Sequence, residues 1–127
     1  AMSLFAFLQK FGFPERKLAV KMIKGLLKGI RHLHRLGIMH RDLKLENIMV
    51  RDNHPTNVKP VIVDLVLAEN IDSTKYLYTR CGTPGYVAPE VLQIKSDDKN
   101  KTYTQACDLF SLGVIFHIMY DLYVNLG

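Results

Sequence analysis

The chain has 127 residues, 48% of them hydrophobic and 23% charged, a length and balance that suit one folded unit and exclude a disordered or fibrous chain. Seventeen Lys and Arg against twelve Asp and Glu give a net charge of +5, which favours phosphate-bearing or acidic partners; no dense basic run interleaves with aromatics, so nucleic acid is not an expected partner. Two cysteines, Cys81 and Cys107, are too few for a disulfide framework and too far apart for a Cys-x-x-Cys metal pair, so an intracellular, cytoplasmic setting is the default expectation.

From the N-terminus, Leu4, Phe5, Phe7, Leu8 and Phe11 predict a short amphipathic helix ended by Gly12. This apolar start has no preceding positive region and no small-residue cleavage site, so it is not read as a signal peptide. Pro14 is expected to open the next helix, which the apolar spacing of Leu18, Met22, Leu26, Ile30 and Leu33 carries from Glu15 to Leu36, with Gly37 as terminator. Lys17, Lys21, Lys24, Lys28, Arg31 and Arg35 recur at steps of four and three and form one cationic face, read chiefly as a solvated surface and secondarily as a docking site for an acidic partner. His32 and His34 do not share a helix face and make a poor metal pair.

The next stretch, His40-Arg41-Asp42-Leu43-Lys44-Leu45-Glu46-Asn47, packs a base, a cation and a metal ligand into eight residues. Phosphoryl transfer needs little covalent chemistry from a protein beyond a positioned acceptor, a neutralised phosphate and a metal held in line. The order H-R-D-L-K-x-x-N, followed by the apolar run Ile48-Met49-Val50, resembles the catalytic loop and following strand of eukaryotic protein kinases. The resemblance implies that Asp42 accepts the proton of the substrate hydroxyl, that Lys44 faces the transferred phosphate as in serine/threonine kinases, and that Asn47 holds magnesium. Leu18-Ala19-Val20-Lys21 is similar to the strand whose lysine grips the phosphates in that family, but Lys21 belongs to the cationic helix face and lies only nineteen residues before His40, so it is read as helix.

After this loop, Asn47 to Val50 and Val58 to Val63 are expected to form a small β-hairpin, with Arg51-Asp52-Asn53-His54-Pro55 as its turn. Asp64-Leu65-Val66 stands where kinases carry D-F-G, which implies Asp64 as a second magnesium ligand. Valine in the glycine position predicts strain of about 1 to 3 kcal/mol if that position needs glycine's backbone angles. Glu69 to Arg80 looks like an activation loop, and Thr79 is the expected phosphorylation switch, with Arg41 able to pair with its phosphate. That implies an upstream activating kinase.

Gly82-Thr83-Pro84-Gly85-Tyr86-Val87-Ala88-Pro89-Glu90 is similar to the segment that closes the activation loop in serine/threonine kinases. By resemblance Thr83 would bond Asp42 and Lys44, while Glu46, Gly82, Thr83, Pro84 and Gly85 would border the protein substrate, a possibly basic one given the charge of Glu46. Lys44, Glu46, Asn47, Met49 and Asp64 would border ATP, the implied cofactor with Mg2+. In the family Glu90 pairs with a later arginine; none follows Arg80, so either Glu90 is expected in water or the region around it is expected to be loose. Gln93 to Thr104 reads as a polar connector, and Ala106 to Phe116 resembles the central helix of the large lobe, from which Asp108 would brace the His-Arg turn. Leu109 to Tyr120 is too short for the ~20 residues of a membrane span and is read as a buried helix.

The expected fold is α+β: a partial kinase-like large (C-terminal) lobe over 1–127, mainly helical with a small β-hairpin. Its parts are helices before the loop (1–36), catalytic loop (40–47), activation segment (64–90) and central helix (106–124). No G-x-G-x-x-G loop occurs in the 127 residues, and the small lobe and C-terminal helices of the family are expected to be absent. The function implied is transfer of the ATP γ-phosphate to a Ser or Thr hydroxyl of a protein, with negligible turnover by these residues alone. The alternative is a pseudokinase-like or truncated binding module.

Overall fold

The computed structural model describes residues 2–54, 57–71, 81–94 and 103–126. The first helix, α1 (Leu4–Phe11), follows a two-residue strand, β1 (Met2–Ser3). Ser3 caps it by accepting the Ala6 N–H at 3.0 Å, and Gly12 closes it with φ +77° while donating to the Leu8 carbonyl at 2.9 Å. The second helix, α2 (Arg16–Arg35), has Glu15 as its N-cap, so Pro14 lies one residue outside the first turn rather than within it. Gly37, at φ +77°, ends it as expected.

Two small sheets follow. The expected hairpin is present as β3 (Ile48–His54) and β4 (Asn57–Ile62), with Ile48 opposite Ile62 and Val50 opposite Pro60. Its strand extends through Arg51–His54, which the turn chemistry had assigned to the connection; the register shifts between Arg51 and His54, and this irregularity absorbs the polar residues. β1 adds to the other edge of β3, giving the order β1-β3-β4. Pro60 is tolerated because β4 is an edge strand and needs no outward N–H. The second sheet joins β2 (Ile38–Met39) to β5 (Glu69–Asn70), tying the residues before the catalytic loop to those after Asp64. The helices α3 (Pro89–Leu92) and α4 (Ala106–Leu126) complete the α+β fold.

Hydrophobic burial divides the interior in two. The larger core joins Leu4 and Phe7 of α1, Met22, Leu26 and Ile30 of α2, Ile48 and Val50 of β3, and Leu112, Ile115 and Met119 of α4. A smaller one gathers Met39, Ala88, Val91, Ile94, Tyr103 and Cys107. The segment read as a buried helix is buried along one side, through Leu112, Ile115 and Met119, while Leu109, Phe110 and Tyr120 are exposed. Among the described residues no helix is long and apolar enough to cross a membrane.

The glycines at positions 25 and 29, one turn apart on α2, let β4 approach closely. A Cβ at Gly25 would sit 3.4 Å from Pro60, and one at Gly29 would sit 3.1 Å from the Ile62 side chain. Gly29→Leu should therefore push β4 from the helix and lower stability by about 1 to 3 kcal/mol, read as a lower urea midpoint. An unchanged midpoint would show that the helix and strand have room to separate.

Candidate active site

The catalytic-loop sequence alternates between the core and the open side. Leu43, Leu45 and Asn47 are buried, Asp42 and Lys44 partly so, and Glu46 is exposed. The apolar residues pin a loop whose polar residues project on the other side. A one-turn 3-10 helix over Leu45–Asn47 then leads into β3.

The loop is held from beneath by Asp108 of α4, whose side chain is fully buried. Its Oδ2 accepts the His40 N–H at 2.8 Å and faces His34 Nε2 at 2.9 Å, and its Oδ1 accepts the Arg41 N–H at 2.9 Å. Arg41 consequently sits at φ +73°, a conformation unfavourable for a residue with a side chain. Its guanidinium donates to the Leu67 carbonyl at 2.7 Å and to the Tyr103 hydroxyl at 2.9 Å. Burial works against the Arg41 charge, but the Tyr103 hydrogen bond and nearby negative groups outweigh it and hold its pKa above the ordinary value. Burial likewise pushes the Tyr103 phenol up, with Arg41 opposing.

His40 is fully buried and works through both ring nitrogens. Nδ1 accepts the Asp42 N–H at 3.1 Å, so the tautomer with its proton on Nε2 satisfies the Val63 carbonyl at 2.9 Å. The Val63 N–H donates to the Asn47 carbonyl at 3.1 Å. Both polar backbone groups of Val63 are thus fixed to the catalytic loop, and the next residue, Asp64, is delivered beside it at φ +64°. Positive φ falls on Asp64 and not on Val66, which is 86% exposed and donates its N–H to Asp64 Oδ1 at 3.3 Å. The strain expected at valine is therefore absent.

Asp42, Lys44 and Thr83 form a bonded triad. The Thr83 hydroxyl donates to Asp42 Oδ1 at 2.7 Å and accepts from Lys44 Nζ at 3.0 Å, while Nζ lies 3.9 Å from Asp42 Oδ2. Asn47 Nδ2 donates to the Asp42 carbonyl at 2.8 Å and approaches Asp42 Oδ2 at 3.2 Å. Thr83 reaches the loop because Gly82 precedes it. A Cβ there would meet Val87 at 2.9 Å and the Arg41 carbonyl at 3.1 Å, and φ is +113°. The turn beyond closes through the Tyr86 N–H to the Thr83 carbonyl at 3.1 Å. Ser111 anchors it to α4 by donating to the Tyr86 carbonyl at 2.7 Å. Pro84 and Gly85 are exposed on it, Met49 is partly buried in β3, and Glu90 is exposed.

The oxygen donors fit a magnesium–phosphate group. Both described bonds of the Asn47 side chain use Nδ2, which leaves Oδ1 for a cation, and Asp64 adds a carboxylate from the adjoining loop. Magnesium ordinarily takes one or two protein oxygens and completes its shell with phosphate and water. Among the described residues no group of three His, Cys, Asp or Glu side chains is placed to hold a metal ion. Of the larger described cavities, only the one lined by Phe5, Leu8, Phe13 and Ile118 touches this loop, through Leu45. Thr79 lies outside the described residues.

Sequence reasoning found Asp108 and Thr83 but missed His34 and Tyr103. Spacing in the sequence weighs His34 only as a metal ligand; its place in the last turn of α2, beside Gly37, puts it near the loop in the chain but does not say which face it takes. Tyr103 carried no signal, because its partner Arg41 is 62 residues away.

A buried carboxylate thus braces an aspartate-bearing loop that a threonine cross-links to a second segment. The model of the protein kinase domain family matches residues 1–124, and the chain belongs to the eukaryotic protein kinase family as part of its domain. The chain is 42% identical over 118 residues to Probable serine/threonine-protein kinase 2 of Plasmodium falciparum, covering 91% of this chain and 21% of that protein. It is 34% identical over 121 residues to the meiosis-specific serine/threonine-protein kinase mek1 of Schizosaccharomyces pombe, covering 91% and 27%. With Serine/threonine-protein kinase H1 of Homo sapiens the identity is 42% over 113 residues, covering 87% and 24%. The chain thus spans about a quarter of the length of these relatives, each of which is named as a serine/threonine-protein kinase.

Asp108→Ala should lower stability by about 2 to 5 kcal/mol, because it strands the His40 and Arg41 N–H groups and His34 in the interior. Asp108→Asn should fall between, since one acceptor oxygen survives; a urea midpoint equal to wild type for the alanine variant would remove Asp108 as the brace. A second expectation concerns the thiols. Burial, then the Asp108 and Glu90 carboxylates, push Cys107 up to about 12, whereas Cys81 is partly exposed. Iodoacetamide near about pH 8 should alkylate Cys81 well before Cys107, read by peptide mass spectrometry. Equal rates would contradict the burial of Cys107.

Proposed function

We propose that the protein to which these residues belong is an intracellular kinase that transfers the γ-phosphate of ATP to a serine or threonine of a protein substrate. The observation that carries this reading is the Asp42–Thr83–Lys44 triad, in which one hydroxyl orients both the carboxylate and the ammonium. With Thr83 occupying Oδ1, Asp42 presents Oδ2 to the acceptor hydroxyl and takes its proton as the acceptor oxygen bonds to the γ-phosphorus and the bond from that phosphorus to the bridging oxygen of ADP breaks. Lys44 meets the negative charge that collects on the transferred phosphoryl oxygens. MgATP, when bound, supplies the phosphoryl group and a cation that neutralises its oxygens. Asn47 Oδ1 and Asp64 would hold that cation, and Met49 and Glu46 border the nucleotide.

Gly82, Pro84 and Gly85 offer backbone to the substrate chain, and the exposed Glu46 favours a basic residue near the acceptor. Arg41 already holds Leu67 and Tyr103; a phosphate on Thr79, added by an upstream kinase, would compete for the same forked donor.

The test is phosphate transfer from labelled ATP by the intact protein to a basic serine peptide. Asp42→Asn should lower the rate by about 10²- to 10⁴-fold, and Thr83→Ser should keep most of it while Thr83→Val loses it. Transfer by Asp42→Asn at the wild-type rate would overturn the reading.

A further inference from the structure

The second helix carries a feature that phosphoryl transfer does not use. Lys17, Lys21, Lys24, Lys28, Arg31 and Arg35 are all exposed on one face of α2, which contains no acidic residue. Among the described residues none of the six makes an ion pair. The row extends over roughly 27 Å at 1.5 Å per residue. Such a field of one sign is destabilising by itself, since neighbours one turn apart repel.

The row is not bare charge. At its N-terminal end it borders a cavity of about 420 Å³ lined by Phe7, Phe11, Phe13, Pro14 and Leu18, with Lys17 and Lys21 on its rim and Glu15 as its one carboxylate. Val20 and Leu27, two turns apart and 36% and 42% exposed, run along one side of the row. A concave apolar site with a few charged groups at its edge suits one large side chain held in register by charge.

We propose that this face docks an acidic peptide segment of another protein, with one apolar anchor in the Phe7–Leu18 cavity and carboxylates laid along Lys24, Lys28, Arg31 and Arg35. Charge complementarity selects this occupant. A second copy of the chain brings another +5 and repels. The phenylalanines lie only at the N-terminal end of the row, and no Phe, Tyr or Trp of α2 stands between Lys24 and Arg35 to stack successive nucleic-acid bases, which disfavours a single-stranded polyanion. A lipid surface needs the apolar side of the helix, and that side is spent on the core through Met22, Leu26 and Ile30.

The experiment is fluorescence anisotropy of the intact protein at low salt with a labelled peptide carrying one phenylalanine followed by a glutamate-rich stretch. The combined variant Lys24→Glu, Lys28→Glu, Arg31→Glu should bind at least about tenfold more weakly, and added salt should weaken the wild type. Circular dichroism shows whether that variant keeps its helices; because all three side chains are exposed, an unchanged spectrum is expected. A peptide with phenylalanine replaced by glycine should also bind more weakly. Three outcomes would overturn the proposal: no binding by the wild type, equal binding by the folded charge-reversed variant, or equal affinity for the peptide with and without its anchor. A single-stranded oligonucleotide of matching charge that binds as tightly would assign the face to polyanions instead.

Discussion

The carboxylate of Asp108 is the constraint on which the rest of the site depends. A buried charge is costly unless hydrogen bonds replace its water, and here His34 and the N–H groups of His40 and Arg41 do so. Those bonds join α2, the catalytic loop and α4 at one point. They also force Arg41 to φ +73°. From that conformation the next residue, Asp42, turns toward Thr83, and the Arg41 carbonyl lies where only a glycine at position 82 can pass.

Strain in this protein is local and compensated. Arg41 and Asp64 are the described non-glycine residues with positive φ, each a conformation costing of order 1 to 3 kcal/mol. Both lie next to residues fixed on two sides: Arg41 by Asp108 and Tyr103, Asp64 by the paired carbonyl and N–H of Val63. The cost therefore falls where a side chain must be aimed. Among the described residues no buried side-chain nitrogen or oxygen lacks a partner, so the polar network that enforces this geometry is complete.

Charge is segregated in the same spirit. Asp108 is buried against His34 and Asp42 is bonded to Thr83 beside Lys44, while the cations of α2 stand outward and, among the described residues, make no ion pair. The first set fixes the loop. The second leaves a surface whose field reaches about 8 to 10 Å at physiological salt, far enough to orient an approaching acidic chain.

Local physics written in the residues determined much of this. The periodicity of α1 and α2, their closing glycines and the hairpin follow from spacing and side-chain type alone, and the order H-R-D-L-K-x-x-N carries the family resemblance. Only the tertiary structure decided what depends on residues far apart in the chain: β1 joining β3, β2 joining β5, Tyr103 meeting Arg41, and His34 completing the Asp108 cluster. It also moved the special backbone angle from Val66 to Asp64. Such pairings carry no periodic signal, because the hydrogen-bonding capacity of a tyrosine or histidine is the same wherever it stands. Which partner it finds is set by how two cores bring distant segments together.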